Sequence, residues 1–341
     1  MYQIKQPSTI IIGNNSCKNF KFKNKCLIIT SPGTKNRGWL DHLDISNYYL
    51  FDKVEPNPSM ETVIKIINQF SKMEITDVVG IGGGSSLDVA KYVAYKLKKK
   101  KILIPTTFGS GSEVTKISVL KVNGKKQSFH DDNLIADVAI VDSFFIQKSP
   151  DHIIKNSAID AAAQCSEAHD SKNANNYTKF LCQHAFELLE EGITNMSKEK
   201  IVIGSLISGL GFGNSSTTLG HALSYVFSNE GYSHGHALAF TTTAAHFFNN
   251  SIFYSRFKKL VKKLDFESIF LKQDYDTASE IILKDRKHLD NNPISVEKNN
   301  IIELLKKINQ GKMFENIWKL KSILKIRFKL FCKCIFVYFL L

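Results

Sequence analysis

The chain has 341 residues, 43% hydrophobic and 23% charged, which excludes a disordered or fibrous polymer and fits a soluble globular protein of two domains. Its formal net charge of +13 would suit nucleic acid, a membrane surface or an anionic metabolite. The stretch from Lys312 onward supplies +6 of that charge, and runs such as Lys98 to Lys101 read as solvated faces, so nucleic-acid binding is not the expected role.

In chain order, Thr9 to Gly13 reads as a short strand and turn, Cys26 to Thr30 as a second strand, and Tyr48 to Phe51 as a third. Met60 to Phe70 has helical periodicity. Asp77 to Ile81 is a buried strand ending in glycines, Leu87 to Leu97 a helix, and Ile102 to Pro105 another strand. Strands alternating with helices predict a parallel α/β sheet covered on both faces. From about Ser149 the pattern becomes helical: Ile153 to Ala168, Tyr177 to Glu190, Lys198 to Leu210, Thr217 to Phe227, Thr277 to Ile282 and Lys298 to Ile308. The expected division is an α/β nucleotide-binding domain over 1–148, an all-helical metal-binding domain over 149–312, and an atypical tail over 313–341.

That tail is basic, then apolar, and ends Cys334-Ile-Phe-Val-Tyr-Phe-Leu-Leu341. Lys329 and Lys333 interrupt it, against the roughly 20 apolar residues a spanning helix needs. An amphipathic surface anchor is one reading, and an extension without function is the preferred one. Six cysteines form neither a CxxC pair nor a zinc-ribbon spacing, and residues 1–5 hold no signal-peptide apolar core. Free thiols in a cytoplasmic setting are expected.

Two loops carry the chemistry. Gly80-Ile-Gly-Gly-Gly-Ser-Ser86 joins a strand to a helix, with four glycines in five residues. Such a turn lets backbone N–H groups approach a phosphate at the positive end of a helix. It is not the GxGxxG pattern of an ordinary dinucleotide fold. After the next strand comes Pro105-Thr-Thr-Phe-Gly-Ser-Gly-Ser-Glu-Val-Thr115, whose hydroxyls suit phosphate and ribose. Taken alone, it also reads as a Ser/Thr-rich loop capping a helix, with Glu113 near the first turn.

GGGSSLDVAK followed by PTTFGSGSEVT resembles the iron-containing (group III) alcohol dehydrogenase family. The order continues with Lys125-Lys126 before Ala139-Ile-Val-Asp142, then Asp160-Ala161, Gly220-His221, His234-Gly235 and Asp290-Asn-Asn-Pro293, covering about residues 8–308. The resemblance implies a Rossmann-like parallel α/β domain plus an all-α domain, the dehydroquinate synthase-like arrangement. It implies NAD or NADP as cofactor, a divalent metal (Fe²⁺ or Zn²⁺), a small aldehyde or alcohol substrate, and a homodimer or larger assembly. By the same resemblance Gly83, Gly84 and Ser85 would meet the pyrophosphate. Asp88, Thr106, Thr107, Thr115 and Lys126 would line the cofactor site. Asp160, His221 and His234 would hold the metal, with Gln164 at the fourth ligand position.

The ligand chemistry agrees with that implication. Asp160 and Gln164 lie at i, i+4 and share a helix face. Carboxylate and imidazole donors suit Fe²⁺ or Zn²⁺, which would act as a Lewis acid. Two positions depart from the family. Gln164 stands where a histidine is usual, and Tyr225 stands one turn after His221, where a second histidine helps relay protons. His221 and Tyr225 are the candidate catalytic residues, whereas His130, His152, His169, His184, His236, His246 and His288 read as ordinary. Lys125 to Phe129, Ser166 to Asn175, Ser224-Tyr225 and His234 to Ala237 are similar to the phosphonoacetaldehyde reductase branch, which makes 2-hydroxyethylphosphonate. Three alternatives stay open: a polyol or simple-aldehyde oxidoreductase of the same fold, a catalytically weakened homologue with a binding role, and a basic nucleic-acid or membrane-surface protein. Thr30-Ser31 after the second strand offers no carboxylate to repel a 2′-phosphate, which suits NADPH.

Overall fold

The structure is a computed structural model that describes residues 1–311; the predicted tail from 313 lies outside the described residues. The first layer carries β1 (Thr9–Gly13), α1 (Ser16–Asn19), β2 (Cys26–Ile29), α2 (Pro32–Asn36), β3 (Tyr48–Phe51), α3 (Met60–Phe70), β4 (Asp77–Gly82), α4 (Gly84–Leu97), β5 (Lys100–Pro105), β6 (Ile117–Val122), β7 (Lys125–His130) and β8 (Val138–Asp142). Six strands form one sheet in the order β1-β8-β5-β4-β2-β3, every pair parallel. The all-buried runs of β2, β4 and β8 follow from helices covering both faces.

From β2 the chain steps outward to β3, then returns to the other side of β2 and builds β4, β5 and β8 in turn. That reversal is the topological switch point, and a crevice opens there at the carboxyl ends of the strands. The glycine turn sits at this place because it ends β4.

The helical layer follows a short α5 (Phe144–Gln147). It contains α6 (Asp151–Asp170), α7 (Asn176–Thr194), α8 (Lys198–Ser215), α9 (Leu219–Asn229), α10 (His234–Phe248), α11 (Tyr254–Leu264), α12 (Tyr275–Leu283), α13 (Arg286–Asn291) and α14 (Lys298–Asn309). Both layers share one core, in which Ile140 and Phe145 join Ile159, Phe186 and Phe227. No helix among the described residues is long and apolar enough to cross a membrane. Cys17, Cys26, Cys165 and Cys182 are free and buried.

Several elements differ from the sequence reading. The pattern passes over β6 and β7, an antiparallel hairpin paired from Ile117↔His130 to Val122↔Lys125. Its turn, Asn123-Gly124, has both φ angles positive (50° and 77°), the two-residue geometry that matches strand twist. Helix α4 begins at Gly84, three residues before the expected start at Leu87. The 106–116 loop opens no helix, so Glu113 is not a first-turn residue. The sequence reading also passes over α10 and α11: α10 is buried nearly all round and so shows little apolar/polar alternation, whereas α11 is amphipathic, burying Phe257, Leu260 and Val261 beneath a lysine-rich outer face.

Asp142 fastens the end of β8. Its carboxylate, itself fully buried, accepts from the backbone N–H of Asn15 (2.9 Å), Cys17 (3.0 Å) and Phe144 (3.0 Å) and pairs with His42 Nε2 at 3.0 Å. Replacing it strands three donors. Asp142→Ala should therefore cost about 3 kcal/mol of unfolding free energy, read from the urea midpoint at unchanged slope.

Candidate active site

The carboxyl edge of the sheet and the helical layer enclose a cleft of about 230 Å³. On its sheet side, Gly82 ends β4 with φ +146°, and a Cβ there would lie 2.7 Å from Ser86 Oγ. The glycine lets α4 start immediately. Gly83 is its N-cap, and no side chain caps the helix, so the leading N–H groups face the cleft as an anion-binding end. A Cβ on Gly83 would stand 3.2 Å from Thr107 Oγ1, and one on Gly84 2.9 Å from Ser110 Cβ. The two loops thus approach so closely that only bare backbone fits, a cradle suited to a pyrophosphate.

Gly84, Ser85, Asp88, Thr115 and Lys126 line the cleft, while Gly83 and Thr107 stand beside it. Thr106 is buried, and its backbone N–H donates to the Gly82 carbonyl at 2.9 Å, tying the loops together. The Asp88 oxygens are already engaged, by Ser112 Oγ (2.6 Å), by the Val119 N–H (3.0 Å) and by the buried Lys91 ammonium (3.1 Å). Asp88 therefore holds the second loop and the hairpin against α4. Beside this cluster Glu113 is buried, and burial raises its carboxyl to about 7 against the opposing pull of its backbone N–H and of Lys91.

On the helical side, Asp160 comes from α6, His221 from the first turn of α9 and His234 from the first residue of α10. One ligand atom from each lies within 4.8 Å of the others. Gln164 sits one turn after Asp160; its Nε2 donates to Asp160 Oδ1 at 2.9 Å, while its Oε1 is buried without a partner. Burial raises Asp160 to about 7, with Glu167 adding to the rise and His221 opposing it. Burial first, then His221 and Lys126, lowers His234 to about 3, so its ring is neutral and keeps a lone pair to give. An orphaned amide oxygen, a buried carboxylate short of positive charge and two imidazoles fit a divalent cation.

Glu167, which sequence reasoning did not single out, organises this set. It lies on the same α6 face, at i+7 from Asp160, and that spacing was the available signal. Its carboxylate accepts from Thr218 N (2.8 Å), Thr218 Oγ1 (2.9 Å), Thr242 Oγ1 (2.8 Å) and His221 Nδ1 (3.1 Å). It therefore caps the start of α9, which Thr218 leaves uncapped by its own side chain. It also fixes the His221 tautomer, leaving Nε2 for a ligand role. Burial alone would raise this carboxyl; His221 and the hydrogen bonds hold it near 2. Gly220 is required beside it, since a Cβ there would come 2.2 Å from Glu167 Oε1.

Tyr225 and His288 complete the cleft wall, with ring centroids 5.9 Å apart. Burial, then Asp285, raises the Tyr225 phenol, so it stays protonated. His288 is a correction to the sequence reading, which left it as ordinary. Its Nδ1 pairs with Asp285 at 2.6 Å, and its ring lies 6.1 Å from that of His221.

Comparison with known proteins follows the same lines. The family description "Iron-containing alcohol dehydrogenase" matches residues 7–143, and the C-terminal description of that family matches residues 154–284. A 4-hydroxybutyrate dehydrogenase of Clostridium kluyveri is 34% identical over 53% of this chain and 56% of its own length. A long-chain-alcohol dehydrogenase of Geobacillus thermodenitrificans is 34% identical over 58% and 59%. The chain thus spans a little over half the length of these two curated relatives. Among solved structures, an iron-containing alcohol dehydrogenase of Thermotoga maritima superposes with TM-score 0.82 at 22% identity, covering 91% of this chain and 100% of that one. A sulfoacetaldehyde reductase of Bifidobacterium kashiwanohense in complex with NAD⁺ gives 0.80 at 23%, covering 91% and 99%. At such identities these likenesses establish the fold.

Two predictions follow from the buried carboxylates. Glu167→Gln should weaken divalent-metal retention roughly 10- to 100-fold, measured by chelator competition, because an amide with one acceptor oxygen cannot answer the donors that the carboxylate does. For Glu113, the unfolded carboxyl titrates near 4.5 and the folded one near 7. Between those values the folded state keeps a proton that the unfolded chain has released, so stability falls as pH rises through the window. Glu113→Gln should match wild type at pH 4 and be more stable above pH 7 in urea titrations; an equal difference at both would exclude this origin.

Proposed function

Because the chain belongs to the iron-containing alcohol dehydrogenase family, we propose that it is a metal-dependent, NAD(P)-linked alcohol dehydrogenase working as an aldehyde reductase. The observation that carries this reading is the convergence of Asp160, His221 and His234 in one cleft with the glycine-lined start of α4. When bound, a divalent metal such as Fe²⁺ or Zn²⁺ supplies Lewis acidity toward the carbonyl oxygen, and a reduced nicotinamide supplies hydride.

The residues divide the remaining work. Glu167 orients His221, and His234 stays neutral so that its nitrogen can serve as a ligand. Gly83, Gly84 and Ser85 receive the pyrophosphate, and Lys126 adds charge beside it. Tyr225, protonated at neutral pH, can donate a hydrogen bond to the oxygen that becomes the alcohol, and a proton reaches that oxygen through it or through water. The end of β2 is compatible with NADPH as well as NADH: Thr30 Oγ1 is spent on the Ile81 carbonyl (2.7 Å), and Ser31 caps α2.

Phosphonoacetaldehyde, reduced to 2-hydroxyethylphosphonate, is the substrate to test first. The stretches around Lys126, Glu167, Tyr225 and His234 support that choice. A neutral aldehyde or polyol substrate is the second reading, and Gln164 in the metal set favours a weaker centre than one with a third imidazole. NADH and NADPH oxidation by protein loaded with Fe²⁺ or Zn²⁺ should appear with phosphonoacetaldehyde and weaken under chelation. His221→Ala should abolish turnover while cofactor binding, followed by NADPH fluorescence, changes little; an active variant would overturn the metal assignment.

A further inference from the structure

Three ammonium groups line the cleft without a direct carboxylate ion pair: Lys121, Lys126 and Lys287, the last with the Asp285 carboxylate near enough to favour its charge but hydrogen-bonded to His288 instead. Among the described residues no ion pair involves any of them; of the cleft's carboxylates, Asp88 is committed to Lys91, and Asp160 lies among the imidazoles and accepts from Gln164. Lys121 and Lys126 are register partners across the β6–β7 hairpin. Like charges placed directly opposite on a hairpin repel, and burial together with Lys121 lowers the Lys126 ammonium. Lys287 comes from α13, beside His288, and among the described residues its hydrogen-bond partner is the ring of His130 on β7. That ring is neutral, since burial and then Lys287 push it down to about 4. The hairpin and α13 therefore meet with excess positive charge on both sides of the gap. His288 carries this wall to the metal set, its ring 6.1 Å from that of His221.

A fold gains nothing from gathering uncompensated cations in a recess; an anion arriving there does. We propose that Lys287 and Lys126 form an anion-reading subsite beside Asp160, His221 and His234, which selects short aldehydes carrying a tetrahedral oxyanion group, a phosphonate or a sulfonate. The proposal rests on the aldehyde-reductase reading and adds the residues that choose the substrate. Lys287 is its specificity residue. Lys126 also borders the cofactor cradle, so the same chemistry could be met by a cofactor phosphate, and the experiment separates the two sources.

Full-length, metal-loaded wild type, Lys287→Ala, Lys287→Arg and Lys287→Glu are compared on phosphonoacetaldehyde, sulfoacetaldehyde and propanal, with KM also measured for NADH and NADPH. Loss of one charge-assisted contact should raise KM for the anionic aldehydes roughly 10- to 100-fold in Lys287→Ala. The rise should be larger in Lys287→Glu and mostly reversed in Lys287→Arg, with a shift several-fold smaller for propanal. In parallel, ethylphosphonate is titrated calorimetrically into wild type and Lys287→Ala; binding to the first and not the second supports the subsite even if no aldehyde is turned over. Equal losses on propanal and the anionic aldehydes, a raised KM confined to NADPH, or no ethylphosphonate binding to wild type would each overturn the proposal. Reduction of propanal without preference for an anion would discard the subsite and leave the reductase reading standing.

Discussion

The helical half of the cleft is organised around one buried carboxylate. Glu167 receives five hydrogen bonds from three residues, Thr218, His221 and Thr242, which lie on or at the start of α9 and on α10. Taking such a charge out of water is costly unless every lone pair is answered and a positive or polarisable partner stands close. The chain meets that demand with the open end of α9, the Thr242 hydroxyl and the His221 ring together. In doing so it brings His221 over α6, within reach of Asp160. The position of His221, the proposed ligand, is thus a by-product of satisfying a buried acid, and Gly220 is glycine because the acid leaves no room for a Cβ.

The sheet supplies the other constraint. Strand order reverses at β2, so a crevice suited to a dinucleotide opens beside β4. Close contact between the glycine turn and the 106–116 loop, with Asp88 and Lys91 anchoring the hairpin, turns this crevice into a walled cleft. Ser118 Oγ donates to the Asp88 carbonyl at 2.9 Å, which keeps the hairpin on α4, while His130 at the same open end of the hairpin meets Lys287 of α13. Two buried charges that do little for stability in isolation hold the cofactor side and the substrate side in one frame.

The departures at Gln164 and Tyr225 can be weighed physically. Gln164 gives its amide N–H to Asp160, which shares the carboxylate with any cation, and a neutral carboxamide oxygen is a poorer donor than imidazole for iron or zinc. Tyr225 cannot titrate near neutrality, but an imidazole stands nearby from a different element, His288, held by Asp285. A histidine absent from one helix has a spatial counterpart on another, and linear spacing gives no hint of that.

How much was legible follows from what each pattern encodes. The glycine turn, the buried parallel strands, α3 with its boundaries at Met60 and Phe70, and the i, i+4 pair Asp160/Gln164 are local: backbone freedom, hydrophobic period and helix spacing are written in consecutive residues. The Asn123-Gly124 hairpin was local too and could have been found from its turn. Glu167 left only its i+7 spacing from Asp160 as a signal, and His288 and Lys287 were not legible as parts of a site, because a lone histidine or lysine is usually a solvated or satisfied residue. By itself the sequence determined the two-layer order of strands then helices, the phosphate-suited turn and the donor types. The tertiary structure alone decided which donors meet, which carboxylate orients them and which cations are left unpaired, since these depend on distances between helices that are far apart in the chain.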